Sequence, residues 1–190
     1  MARVVHFHDP PERFVAGTVG APGDRSFFLQ ARSSGHVTTV GMEKEQVAVL
    51  AERVESMLDE VLRITGGRAG IPAVAPKDLD DDDPLEQPLV EEFRVGTLRL
   101  AWDSEAERVV IEAYEVTEDE ADPPPPVEEE PDADGPETLV VRITGAQARA
   151  FVQRALAVVA AGRPPCPFCG GPLDPEGHIC PRANDYRRSG

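Results

Sequence analysis

At 190 residues the chain has room for one domain, or for two small ones that share a core. Its hydrophobic fraction of 41% excludes disorder throughout, and no apolar run nears the roughly 20 residues that a membrane-spanning helix needs. A net charge of −16 argues against bulk attraction to nucleic acid or anionic lipid.

The first residues, Met1 to Asp9, carry too short an apolar stretch for a secretory leader, which predicts a cytoplasmic protein. Within them His6 and His8 fall on one side of an alternating strand, with Asp9 adjacent. That trio is a candidate catalytic metal cluster, placed near Arg25 in such a reading; the plainer alternative is a strand-end histidine pair.

A pattern then recurs. Phe14-Val15-Ala16-Gly17-Thr18-Val19 is similar to Phe93-Arg94-Val95-Gly96-Thr97-Leu98, and in both copies the apolar alternation shifts parity across Gly-Thr. A β-bulge at the glycine produces such a shift. Second strands are predicted over 26–31 and 108–116, and third strands over 37–40 and 139–143. His36 sits in the hairpin turn beside Gly35.

A helix is predicted over 43–64 from the stripe Val47, Leu50, Ala51, Val54, Met57, Leu58, Val61 and Leu62, with Gly66-Gly67 ending it. The second helix opens on Thr144-Gly145-Ala146-Gln147, a Thr-x-x-Gln capping box, and presents Ala148, Phe151, Val152, Ala155, Leu156 and Val159.

Two stretches interrupt this order. Residues 66–90 contain Asp80-Asp81-Asp82-Asp83-Pro84, and residues 117–137 hold ten acids, no base and four consecutive prolines. Like-charge repulsion and missing amide donors predict extended, solvated linkers. An acidic docking surface is the alternative.

The predicted fold class is therefore α+β: two strand-strand-strand-helix pseudo-repeats form a mainly antiparallel sheet covered by two helices, with a C-terminal zinc knuckle. The domain runs over 1–163, with repeat one at about 3–65, linker 66–90, and repeat two at about 91–162. Acidic linker 117–137 interrupts the second repeat, and a zinc-binding tail occupies 164–190.

All three cysteines lie in that tail. Cys166-Pro167-Phe168-Cys169 can aim two sulfurs at one ion, and the glycines that follow permit the tight turn that directs amides at them. His178 and Cys180 add ligand types on alternate positions. An odd cysteine count cannot close as disulfides. The expected metal ligands are Cys166, Cys169, His178 and Cys180, around a structural Zn2+ whose closed shell leaves no position for water. A redox Cys-x-x-Cys pair is the alternative.

The tail, with Pro172-Leu173-Asp174-Pro175, Gly177-His178-Ile179-Cys180-Pro181-Arg182 and Tyr186-Arg187-Arg188, joins the opening Phe14-x-x-Gly17-Thr18 and Arg25-x-Phe27-Phe28-Leu29-Gln30. Together they resemble the actinobacterial domain-of-unknown-function family 3090, described as a repeat protein. The resemblance spans nearly the whole chain and brings no catalytic residues with it.

From Arg142 onward seven arginines face three acids, so the excess negative charge lies in the preceding body. Such an end can bind a polyanion, or it can lie against the body's own acids. The reading that follows is a non-enzymatic adaptor or regulatory binding protein that docks a protein partner. One alternative is a metal-dependent enzyme that acts on a phosphorylated small molecule through His6, His8 and Asp9. The other is nucleic-acid binding through the basic zinc tail.

Overall fold

Segments rich in β-branched and aromatic residues pair into one seven-stranded sheet. The structure is a computed structural model that describes residues 3–117, 125–127, 134–162, 166–169, 173 and 180. In chain order the elements are β1 (Val5–His8), β2 (Arg13–Val19), β3 (Ser26–Ser33), β4 (His36–Met42) and α1 (Lys44–Thr65). A 3-10 turn (Lys77–Leu79) follows, then β5 (Glu91–Asp103), β6 (Arg108–Glu115), β7 (Thr138–Thr144) and α2 (Gly145–Ala160).

The strand order is β1-β7-β6-β5-β4-β3-β2. Pairing is antiparallel within β2-β3-β4 and within β5-β6-β7. The joins β4–β5 and β1–β7 are parallel. Three strands and a helix thus occur twice in the same order, and β1 stands beside β7 as β5 stands beside β4. The expected α+β class with a mainly antiparallel sheet and two helices is the observed one.

Both helices cover one face of the sheet. Val47, Leu50, Val54 and Leu58 of α1 and Phe151 and Val152 of α2 share a core with Phe14, Leu29, Val40, Ile111 and Val141 of the strands. Phe14 and Phe151 stack with centroids 4.6 Å apart. Burying side chains of this size contributes about 1.5–3 kcal/mol each, the main term that holds helices to sheet.

The start of α2 carries the expected capping box. The Gln147 amide donates to Thr144 Oγ1 at 3.1 Å, and the Thr144 amide donates to Gln147 Oε1 at 3.0 Å.

The bulge is present in one copy only. Val95 pairs with Glu115 and Thr97 with Tyr114, so Gly96 is the extra residue on β5. A Cβ there would lie 2.8 Å from the Cα of Val116, a backbone atom with no freedom to yield. In β2 the register from Arg13 to Val19 is unbroken against β3. Val19 is 45% exposed at the strand's end, so its parity reports solvent and not a slip.

Residues 66–90 have little regular structure, as expected, but they are not merely solvated. Leu85 packs on Val15 and Phe28, on the sheet face opposite the helices. Ala69 and Ile71 enter the main core. Asp81 accepts from Arg13 Nε at 2.6 Å and from Arg154 Nη1 at 2.7 Å. Two half-buried guanidiniums thus hold down one carboxylate of a four-aspartate run. Repulsion within that run is evident from the sequence, whereas the cations brought to it from β2 and α2 are not.

Of the second acidic stretch, 118–124 and 128–133 lie outside the described residues. Val127 within it is buried against Val110 and Val140, and its amide donates to Glu112 Oε1 at 3.0 Å. The three described arginines of the C-terminal part meet the body's own acids. Arg142 pairs with Asp9 and Asp103, Arg149 with Asp59, and Arg154 with Asp81.

Candidate metal centre

The helix α2 ends at Ala160, and the chain returns to described positions at Cys166 in a turn that runs through Cys169. Within that turn the sulfurs of Cys166 and Cys169 approach each other, and Cys180 joins them. All three Sγ atoms lie within 4.8 Å of one another. Cys166 and Cys180 are buried and Cys169 is partly so, and all three are free thiols.

The Cys166–Cys180 sulfur separation is 3.8 Å, far beyond the roughly 2.05 Å of a disulfide. Thiolates on the corners of a tetrahedron about 2.3 Å from its centre stand about 3.8 Å apart. The trio has the spacing of metal ligands, and these three residues could hold a metal ion.

The electrostatics agree with the geometry. Burial works to raise the Cys166 thiol, but the amides of Cys169 and Phe168 and the neighbouring thiols hydrogen-bond to it and hold it below its ordinary value. Stabilised thiolate is the form that binds metal. The glycines expected to aid such amide contacts, Gly170 and Gly171, lie outside the described residues. The fourth expected ligand, His178, lies outside the described residues.

The N-terminal trio fares differently. His8 is 1% exposed. Its Nδ1 meets Ser33 Oγ at 2.8 Å and its Nε2 meets Thr38 Oγ1 at 3.0 Å. Burial, with smaller contributions from His36 and His6, lowers its pKa to about 4, so near neutral pH it is an uncharged core imidazole. Asp9 turns to Arg142 Nε at 3.1 Å. Arg25 donates to the Ala161 carbonyl at 2.5 Å, at the far end of α2. The candidate catalytic grouping of His6, His8, Asp9 and Arg25 therefore does not assemble, which favours the plainer reading of a strand-end histidine pair. Two hydroxyls satisfy His8 and an arginine claims Asp9, and neither demand is visible in the local sequence.

His6 is the one member left with a chemically open setting. Its Nε2 lies 2.7 Å from Glu137 Oε1. His36, expected to be exposed in its turn, is exposed, and its ring stacks on His6 and His8 at 6.5 and 6.1 Å.

Searches of curated proteins and of solved structures returned no match to this chain. A family model described as "Protein of unknown function (DUF3090)" matches residues 6–180. That span opens at His6 and closes at Cys180, so it takes in the sheet, both helices and every cysteine, and the chain belongs to the DUF3090 family.

Proposed function

We propose that this chain is a zinc-binding, non-enzymatic adaptor. Residues 1–163 form an α+β body of two pseudo-repeats, and residues 164–190 form a zinc-held tail that docks a protein partner. The zinc is structural: Cys166, Cys169 and Cys180 supply three thiolates and His178 the fourth ligand, which leaves no position for substrate or water. The observation that carries the reading is the convergence of three reduced sulfurs, two of them 3.8 Å apart. Reduced thiols suit a cytoplasmic setting.

Phe168 supports the docking role. It lies between the first two ligands and is 65% exposed, so metal ligation holds a large apolar ring at the surface. Rigid, exposed aromatics are the side chains from which protein interfaces draw much of their energy.

Two measurements test the proposal. Elemental analysis of the purified chain should find zinc, and Cys166→Ser and His178→Ala should each lower its content. Native co-purification should then recover a protein partner with the wild-type chain and lose it with Cys166→Ser and with Phe168→Ala. Equal zinc in wild type and both ligand variants overturns the metal assignment. Recovery indifferent to Phe168 and Cys166 overturns the docking assignment.

A further inference from the structure

A second group of metal-ligating side chains lies on the body, built without the cysteines. Strand β6 ends at Glu115, and the chain segments on either side of it run on past that end. The Glu115 amide donates to the Glu137 carbonyl at 2.8 Å, and the Val116 amide donates to the Arg94 carbonyl at 2.9 Å. Parallel pairing sets Val5 against Thr138 and His6 against Leu139, which places His6 next to Glu137. Glu92, near the start of β5, completes the group. The imidazole of His6 and the carboxylates of Glu92 and Glu137 each offer a ligand atom within 4.8 Å of the others.

We infer that His6, Glu92 and Glu137 form a binding site for a divalent first-row cation, distinct from the cysteine centre.

The charge of the group argues for a cation. Two carboxylates face one imidazole, so even a protonated His6 leaves one negative charge unmatched, and a neutral His6 leaves two. A divalent ion satisfies both acids and leaves His6 neutral, the form in which imidazole ligates. One nitrogen and two oxygens suit a borderline or hard metal such as manganese, iron(II) or zinc, whereas thiolate sites select softer ions.

The frame is prepared for this. His6 and Glu137 are half-buried, His6 in the β1–β7 ladder and Glu137 held through its carbonyl by the Glu115 amide, so two ligands arrive nearly fixed. His36 stacks on His6 with its ring plane 10° from parallel and closes one side. His8, its two nitrogens taken by Ser33 and Thr38, supports that stack from beneath and does not compete as a ligand. Glu92 is exposed, so the remaining coordination positions open to solvent. The site is of the open kind that exchanges ligands, in contrast to a closed structural shell.

Manganese(II) is the probe, because it favours oxygen and imidazole over sulfur. The full chain, first loaded with one equivalent of zinc, is titrated with Mn2+ while the electron paramagnetic resonance signal of the free ion is followed. The expected result is one Mn2+ per chain. His6→Ala and Glu137→Gln should each weaken binding at least tenfold, and Cys166→Ser, titrated without the added zinc, should leave it unchanged. Glu92→Gln supplies the variant that cannot fail by misfolding, since its side chain is exposed, and it too should weaken binding several-fold. Mn2+ uptake unaltered by all three substitutions would mean diffuse attraction to an acidic surface, and would overturn the site. So would the absence of saturable uptake by the wild-type chain.

Discussion

Gln46 and Gln147 make matching contacts at the starts of the two helices. Each Oε1 accepts the amide three residues earlier, from Glu43 at 2.8 Å and from Thr144 at 3.0 Å. Each Nε2 then donates across the sheet, Gln46 to the carbonyl of Val95 at 3.1 Å and Gln147 to that of Pro11 at 2.9 Å. The first acceptor belongs to the strand beside β4, and the second lies just past the strand beside β7.

One amide side chain therefore caps a helix and ties it to a neighbouring segment in each half, strand β5 for α1 and the β1–β2 connection for α2. Gln147→Ala should cost about 1–2 kcal/mol, since it loses the cap and the cross-link, and Gln46→Ala a similar amount. Urea denaturation reads both. A midpoint no lower than that of the exposed control Glu52→Ala would show that the contacts carry no stability.

Asp81 is the acid of its run on which folding depends. Hydrogen bonds from Arg13, opposed by burial and aided by the charges of Arg13 and Arg154, hold its carboxyl below the ordinary range. Asp81→Asn leaves two guanidiniums, about 11% and 12% exposed, without their shared counter-ion. The expected loss is about 1–3 kcal/mol, less than for a fully buried pair because Asp81 is itself partly solvated. Asp82→Asn should change stability by less than about 0.5 kcal/mol. Equal effects of the two substitutions in chemical denaturation would contradict this assignment.

His8 predicts a dependence of stability on pH. Its folded pKa of about 4 lies below the ordinary imidazole value of 6.5, so the unfolded chain binds more protons between those values. The contribution is complete above pH 6.5 and is lost as pH falls toward 4. The difference amounts to roughly 3 kcal/mol by the linkage relation. His8→Gln removes the titrating group, so its unfolding free energy should fall less steeply than wild type over that interval. Parallel curves for the two proteins would refute the assignment of a neutral, buried His8.

Removing metal from the cysteine centre should act locally. Ligation at such a site is worth on the order of 10 kcal/mol to the segment it organises. The main core of strands and helices contains none of the cysteines. Chelation, or Cys166→Ser, should speed proteolytic trimming after residue 162 and shift the melting temperature of the body by no more than a few degrees. A collapse of the whole transition would show that body and tail fold as one unit.

Much of the architecture was legible because it rests on local signals. The stripe from Val47 to Val61, the Thr144–Gln147 box and the parity change at Gly96 each occupy a few adjacent turns or pairs. Contacts between distant segments were not legible. His6 and Glu137 are 131 residues apart, and nothing beside either announces the parallel pairing that joins them. The two roles of residues 66–90 were hidden likewise, because Leu85 and Asp81 act through Phe28 and Arg154. At the cysteines, spacing alone pointed to three of the residues that converge, since a turn of four residues leaves the sulfurs few other directions.

The placement of β1 has a bearing on self-association. A three-stranded unit that ends in β7 exposes a seven-residue edge, and the strand such an edge accepts elsewhere in this sheet is a β5-type strand in parallel. Another molecule's β2, the counterpart of β5 in the first half and the strand at the sheet's other edge, could meet that requirement and propagate chain to chain. Four residues from the N-terminus fill the vacancy first, and so short a stretch offers little ladder for the next molecule to extend. The opening of the chain thus serves as a stopper that keeps an array of like units finite.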